Sequence, residues 1–451
     1  MQTLLKSKIS NRVKTIKINY ISKSEGHTGF EAKIVNGKVD SARMDVKEGA
    51  RLIEGILKGR KIEEAPIITS RICGICPVVH NLVSIKAIEN VLDLKIPEQI
   101  INLRKLMQYG QIIQSHILHI FFLAISDYIV ETRQCCVSTQ KDAIKIRDFA
   151  NKIIETIGGR TTHPITSVIG GFIKIPNKEK LKKLLNKQSE ILEISLELLN
   201  LFKKIKFPKF ERETEFVGLS ARGGFPSKNG HGAFDGKNKK EYAIYDGDII
   251  SNMGLNISVK KYIAEFQEFQ RNYEMVNLVK RKENSFMVGA LARLNLSSDQ
   301  LNKEAKNSLK KINFVLPNYN TFYNIPAQMI EVIHLIEESK KILEKVLSAS
   351  GFASGRINLK KCGINYKIKA GEGIAAIEAP RGILFHSYKI DKTGRIIKAN
   401  IITPTAQFLF NLEKDLEKYI LLLGNLNSKE CEQKIQMLVR AYDLCISCAV
   451  H

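Results

Sequence analysis

The chain has 451 residues, 44% apolar and 26% charged, the balance of an ordinary globular protein long enough to bury a large core. Its net charge of +24 is scattered through amphipathic segments such as 178–187 and 203–209, without tryptophan or a nucleic-acid signature, so a lysine-rich solvated surface, also suited to an acidic protein partner, is expected instead of nucleic-acid binding. No run reaches the roughly 18 uncharged apolar residues of a membrane span, and residues 1–10 lack a secretory apolar stretch, which together point to the cytoplasm unless a signal-bearing partner exports the chain.

In chain order, residues 13–21 read as a strand, and 30–35 and 39–46 as a hairpin about the two-residue Asn36-Gly37 turn. Residues 47–59 have helical spacing, with Ala50, Leu52, Ile53 and Ile56 on one side and Glu54 among them. Arg71-Ile72-Cys73-Gly74-Ile75-Cys76-Pro77-Val78-Val79-His80 follows, ending in a helix that starts near Val78. The positive helix N-terminus favours the thiolates that metals need; taken singly, this Cys-x-x-Cys fits a redox dithiol and half a zinc site equally.

From Pro97 to about residue 131 the pattern is helical and, over 112–125, apolar almost all round, which places it in the centre of a bundle. His116 and His119 read there as core histidines. Helices at 141–157 and 179–205 are joined through a glycine-rich stretch that lacks a phosphate loop's preceding strand and Gly-Lys-Ser/Thr ending. The polar part, 210–253, carries short strands at 215–219 and 241–245. Helices are expected at 260–270, 298–314 and 327–348, strands at 375–379, 382–389 and 396–402, and helices at 406–423 and 429–444.

These elements make an α+β fold, mainly α: a central bundle of long helices with small antiparallel sheets. Nothing obvious cuts the chain, so one domain over 1–451 is expected, β-rich at 1–60, mainly helical at 61–370, with a small β region at 371–404 and C-terminal helices and metal ligands at 405–451.

Of eight cysteines, Cys135, Cys136, Cys362 and Cys431 show no pair spacing. The others form the first pair and a second at the end of the sequence, Asp443-Leu444-Cys445-Ile446-Ser447-Cys448-Ala449-Val450-His451. A structural zinc site draws its halves from a few tens of residues, whereas Cys73 and Cys445 are 372 apart in sequence. Four thiolates suit a soft, redox-active metal or an iron–sulfur cluster.

Arg-x-Cys-Gly-x-Cys-x-x-x-His at 71–80 with Asp-x-Cys-x-x-Cys-x-x-His at 443–451 closely resembles the large, catalytic subunit of nickel-iron hydrogenases. Glu25-Gly26-His27, the stretches 48–60 and 158–163, Gln114-Ser115-His116, Glu378-Ala379-Pro380-Arg381-Gly382 and 403–407 extend the resemblance along essentially the whole chain. It is most like the cytosolic members linked to nicotinamide, deazaflavin or heterodisulfide reductase.

The resemblance implies reversible heterolytic cleavage of H2 at a nickel-iron centre, with Cys73 and Cys445 as terminal nickel ligands. Cys76 and Cys448 would bridge to an iron carrying carbon monoxide and cyanide. Cys445 or Arg381 would take the first proton and Glu25 would pass it outward, while Asp443 lies over the metals and His80 steadies the bridging sulfur. Pro380 and Thr405 would line the cofactor. Glu54 and His451 would hold a magnesium or iron ion near the C-terminus, and a C-terminal extension is usually removed after this histidine. Electrons would leave through a small subunit bearing iron–sulfur clusters, with diaphorase or heterodisulfide-reductase-type subunits beyond it.

Lys23, Ser115, Leu444 and Phe408 depart from the family pattern without removing a metal ligand. The alternatives are an H2 sensor or low-activity homologue, a metal-free relative like the complex I module, and a structural zinc protein.

Overall fold

The computed structural model describes residues 13–128, 133–221, 241–272, 274–348, 365–424 and 428–451. Cys362 lies outside them, as do the side chains of Cys135 and Cys136. The first sheet runs β1 (Val13–Ile18), β2 (Thr28–Val35) and β3 (Lys38–Val46), all antiparallel. Asn36 and Gly37 have φ of 52° and 77°, the two positive values that a tight type I′ hairpin requires.

The helix expected at 47–59 shrinks to α1 (Ile53–Leu57). Leu52 adopts left-handed φ and ψ of 53° and 38° and is 70% exposed, so the expected apolar face does not form. The preceding backbone is bonded elsewhere: Arg51 N–H donates to Val450 O at 2.8 Å. A tertiary bond to the far end of the chain replaces a helical one.

α2 (Ala65–Thr69) leads to the first cysteine pair and then to α3 (Pro77–Leu92), with proline at its first position. α4 (Glu98–Leu118) continues through a wide π turn over His119–Ala124 and a tight 3-10 turn over Ile125–Asp127. α5 (Arg133–Gly158) packs along α4. Two short strands, β4 (Ser167–Val168) and β5 (Gly171–Phe172), precede α6 (Lys178–Leu199).

β6 (Glu215–Ser220) pairs antiparallel with β7 (Asp248–Ser251), which pairs with β8 (Asn256–Ile257). On its other edge it meets β11 (Phe286–Met287) in parallel, so this sheet is mixed where only antiparallel pairing was expected. A two-residue parallel strand carries no periodicity to detect.

Residues 241–245 form no strand, although 242–245 are buried. Their carbonyls are taken by other groups: Ile244 O by Gln108 Nε2 and Glu378 N–H, and Tyr245 O by Lys86 Nζ. The helix expected at 260–270 is instead a 3-10 turn, a single helical turn α7 (Tyr262–Glu265), and β9 (Gln267–Phe269) paired with β10 (Leu278–Lys280).

α8 (Ala290–Ser297), which lay outside the expected elements, and α9 (Lys303–Lys311) precede α10 (Asn324–Ser348), which packs against α4 and α6. A second three-stranded antiparallel sheet, β12 (Gly371–Ala379), β13 (Gly382–Ile390) and β14 (Ile396–Ile402), lies on α3. Gly373 permits that contact, because a Cβ there would come 2.3 Å from Ala87 O. α11 (Pro404–Leu423), α12 (Ser428–Ala441) and the short α13 (Ile446–Ala449) end the chain. No helix among the described residues is long and apolar enough to cross a membrane.

His116 and His119 are core histidines. His116 Nε2 meets Glu331 Oε2 at 2.9 Å, and His119 meets Gln328 Oε1 at 2.5 Å and Arg440 O at 2.7 Å. His334 is also buried and accepts from Asn302 N–H at 3.1 Å through Nδ1. Burial pulls its pKa down to about 4 from 6.5, so between these values the unfolded chain binds a proton that the folded chain refuses. Stability is therefore expected to fall as pH drops from 6.5 to 4. Urea titrations across that range should show the slope, and His334→Gln should make it shallower by the share of one proton, the other buried histidines keeping theirs.

Candidate metal centre

The two cysteine pairs are held by opposite ends of the chain. Cys76 is the residue before α3, and Cys445 the residue before α13. Asp443 turns the chain between α12 and the second pair with φ of 58°, a left-handed conformation that aspartate tolerates better than most residues. Arg51 ties the pairs together: its Nη2 donates to Ile72 O at 2.6 Å and to Ser447 O.

The result is a cluster of four buried sulfurs. Sγ–Sγ distances are 3.4 Å for Cys73–Cys445, 3.2 Å for Cys76–Cys448 and 3.0 Å for Cys445–Cys448. These are far beyond an S–S bond of about 2.05 Å, and all four are free cysteines. Among the described residues this is the one group of three or more Cys, His, Asp or Glu donors placed to share a metal.

Its charge is uneven. Thiol donors from Cys445, Cys448 and Cys76 drive the Cys73 pKa well below the usual value. Burial first, then the neighbouring sulfurs, pushes Cys448 well above it, and burial also raises Cys445. Metal loading must therefore displace protons from the cluster.

Arg381 sits in the two-residue turn joining β12 and β13, where Ala379 pairs with Gly382. Its Nε donates to Asp443 O at 2.7 Å and its Nη2 to Asp443 Oδ1 at 2.8 Å. Burial would favour the neutral guanidine, but the Asp443 carboxylate and the nearby thiolates outweigh it and hold Arg381 as a cation. Its Nη1 is buried without a hydrogen-bond partner, a free donor beside the sulfurs. Gln328 Nε2 braces the other Asp443 oxygen at 3.1 Å.

Behind this turn, Arg293 uses all five of its N–H groups. It bonds Glu331 at 2.6 and 2.7 Å, Glu378 at 2.7 Å, Ala379 O at 3.2 Å and Pro380 O at 3.1 Å. Pro380 thus enters through its carbonyl. Thr405 Oγ1 accepts from Cys445 N–H at 3.2 Å.

Glu25 is half-buried and reaches the centre through Ser447. The Glu25 carboxylate accepts from Ser447 N–H at 3.1 Å and bonds the Ser447 hydroxyl. That hydroxyl lies 3.8 Å from Cys445 Sγ. At the second cysteine of this pair, His80 Nε2 is 3.8 Å from Cys448 Sγ, and burial drops its pKa to about 3 against the pull of the Cys73 charge.

Glu54 and His451 meet at one residue, Ile401, apart from the sulfurs. Glu54 Oε1 accepts from Ile401 N–H at 2.6 Å, and His451 Nε2 faces Ile401 O at 2.8 Å. Glu54 and Glu268 line a cavity of about 450 Å³ together with Asn400 and Lys398. Burial raises both carboxyls, and the Glu54 charge raises Glu268 further. Glu54, Glu268 and His451 do not bring their donor atoms close enough to form a three-ligand group of the kind the four cysteines form.

Of the departures, Lys23 Nζ bonds Ser126 Oγ at 2.6 Å and Phe408 packs on Tyr442 with ring centroids 5.5 Å apart. Leu444 is buried, and Ser115 Oγ is buried without a hydrogen-bond partner.

A family model described as "Nickel-dependent hydrogenase" matches residues 51–141 and 214–451. The chain belongs to the nickel-dependent hydrogenase family. This hydrogenase is 31% identical to sulfhydrogenase 2 subunit alpha of Pyrococcus furiosus over 97% of its length and 98% of that protein. It is 30% identical to sulfhydrogenase 1 subunit alpha of the same organism over 97% of each chain. Its fold matches an NAD+-reducing [NiFe]-hydrogenase in the H2-reduced state with a TM-score of 0.82 at 24% identity, covering 97% of this chain and 99% of that one. It is thus an oxidoreductase acting on H2, of the α+β architecture expected from its sequence.

Sequence reasoning passed over Ser447, Arg51, Arg293 and Gln328. Ser447 stood inside a recognised motif, between the cysteines. The other three act through the backbone or through other side chains, so no spacing marks them.

Proposed function

We propose that this chain is the H2-splitting subunit of a heteromeric hydrogenase that exchanges electrons with a separate iron–sulfur subunit. The observation that carries the reading is the convergence of four buried thiols from opposite ends of the chain beside the unpartnered Nη1 of Arg381. Cys73 and Cys445 would hold nickel, while Cys76 and Cys448 would hold both nickel and an iron bearing one carbon monoxide and two cyanides. When bound, this group supplies the Lewis acid and electron acceptor needed to split H2 heterolytically.

The chain's own residues handle the proton. Arg381 is already a cation, so Cys445 Sγ is the first acceptor, and the unpartnered Arg381 Nη1 would be the donor available to the diatomic ligands. The proton passes from Cys445 Sγ to the Ser447 hydroxyl and on to the Glu25 carboxylate, which reaches the half-exposed surface. Asp443 fixes Arg381, and Thr405 fixes the Cys445 backbone. Glu54 and His451, which meet at Ile401, would hold magnesium or ferrous iron and so clasp the C-terminal turn.

The sequence carries no further cysteine series, and the similar Pyrococcus proteins are named as alpha subunits, which supports a separate electron carrier. Exposed Ile67 and Ile165 flank the contact between His163 Nδ1 and Ser70 O, just ahead of the first cysteine pair. That face would receive the iron–sulfur subunit. The cytoplasm is the proposed location.

Glu25→Gln tests the proton route. Hydrogen/deuterium exchange on the enzyme is expected to fall by about 10²–10⁴-fold, the range typical of a lost proton-transfer group, with nickel content unchanged. Exchange at the parental rate would reject Glu25.

A further inference from the structure

A chain of four buried groups runs away from Cys448, separate from the Ser447–Glu25 pair. Beyond the 3.8 Å contact of His80 Nε2 with Cys448 Sγ, His80 Nδ1 lies 3.3 Å from His386 Nε2. His386 Nδ1 lies 2.7 Å from Tyr388 Oη, and Tyr388 Oη lies 3.0 Å from Ser84 Oγ. All four side chains are at most 1% exposed.

The geometry follows from how α3 packs on β13. His80 and Ser84, four residues apart on a helix, are stacked about 6 Å apart on one face. His386 and Tyr388, two apart on a strand, share a face with a rise of about 6.6 Å. The matching repeats align both pairs as one row.

A neutral imidazole has one donor and one acceptor nitrogen, so the row has two self-consistent polarities. In one, Ser84 donates to Tyr388, Tyr388 to His386 Nδ1, His386 Nε2–H to His80 Nδ1, and His80 Nε2–H to the sulfur. In the other every bond is reversed and a nitrogen lone pair faces the sulfur. A thiolate has no proton to give, so a metal-binding Cys448 selects the first.

We propose that His386, Tyr388 and Ser84 are positioning residues that lock His80 as a donor to Cys448 Sγ and thereby set how much charge this thiolate gives the metals. Each donor polarises the next along the row, so the bond offered to sulfur strengthens with the groups behind it. The inference rests on the proposed iron with its carbon monoxide.

The test is the infrared spectrum of the nickel-loaded complex. Tyr388→Phe removes one oxygen and weakens the N–H···S bond. The thiolate then donates more to iron, and the carbon monoxide stretch should move to lower wavenumber at parental nickel content. Ser84→Ala should move it the same way by less. An unmoved band in loaded Tyr388→Phe overturns the inference. If that variant does not load nickel, an unmoved band in Ser84→Ala does so. A parental complex with no carbon monoxide band would instead reject the cofactor reading itself.

Discussion

Cys445→Ser is expected to give a folded chain that holds no nickel and neither consumes nor produces H2. Cys445 Sγ is fully buried and within 3.4 Å of both Cys73 and Cys448 sulfurs, so its loss removes a donor from the middle of the set. Serine keeps the shape but offers a hard oxygen whose proton is held far more tightly than a thiol's, which a soft metal does not displace. The metal-free protein should be nearly unaffected, because the fold there rests on Arg51, Glu25 and Thr405 contacts to the backbone on either side. Its urea stability should change by no more than about 1 kcal/mol, as for most mild substitutions. Elemental analysis showing parental nickel in Cys445→Ser would remove Cys445 from the ligand set.

Arg293→Met should produce the largest loss of stability. The side chain is 2% exposed and lies between Glu331 and Glu378, which are fully buried. Removing the cation strands two carboxylates, and breaking a buried pair of this kind costs about 3–5 kcal/mol. Glu331 keeps its bonds to His116 and Tyr242, and Glu378 its bond from Leu219 N–H at 2.8 Å, but none of these supplies the lost charge. The same substitution frees the carbonyls of Ala379 and Pro380, so Arg381 loses its support and nickel loading should fall as well. Arg293→Lys should rescue little, because three donors on one nitrogen cannot serve five acceptors in a plane. Denaturation in urea measures the effect; a change below about 1 kcal/mol would show that the network is not carrying the turn.

The parts of this molecule that were legible in its sequence are those written in local chemistry. Asn36-Gly37 fixes a hairpin because its two residues accept positive φ, and Pro77 opens a helix because its missing N–H has no partner there to lose. The two Cys-x-x-Cys pairs stand out because thiolates at that spacing serve a metal better than they serve a core. The segments that read differently are held by bonds from far away. Arg51 pulls residues 47–52 toward Val450 and out of a helix, and Lys86, Gln108 and Glu378 take the carbonyls that residues 244 and 245 would have offered a sheet partner.

The same division runs through the site. Glu25 and Arg381 stood in recognisable motifs, but the Ser447 hydroxyl that links Glu25 with Cys445, and the Arg293 cradle behind Arg381, depend on elements brought together only by the complete fold. His386 and Tyr388 lie within a strand and read as ordinary core alternation until α3 is laid against it.

Metal analysis of the purified complex combined with infrared spectroscopy tests the central claim most directly. The complex should hold one nickel per chain of this subunit, and its infrared spectrum should show bands from carbon monoxide and cyanide bound at the four-cysteine centre. Zinc alone in that site, with no such bands, would contradict the account.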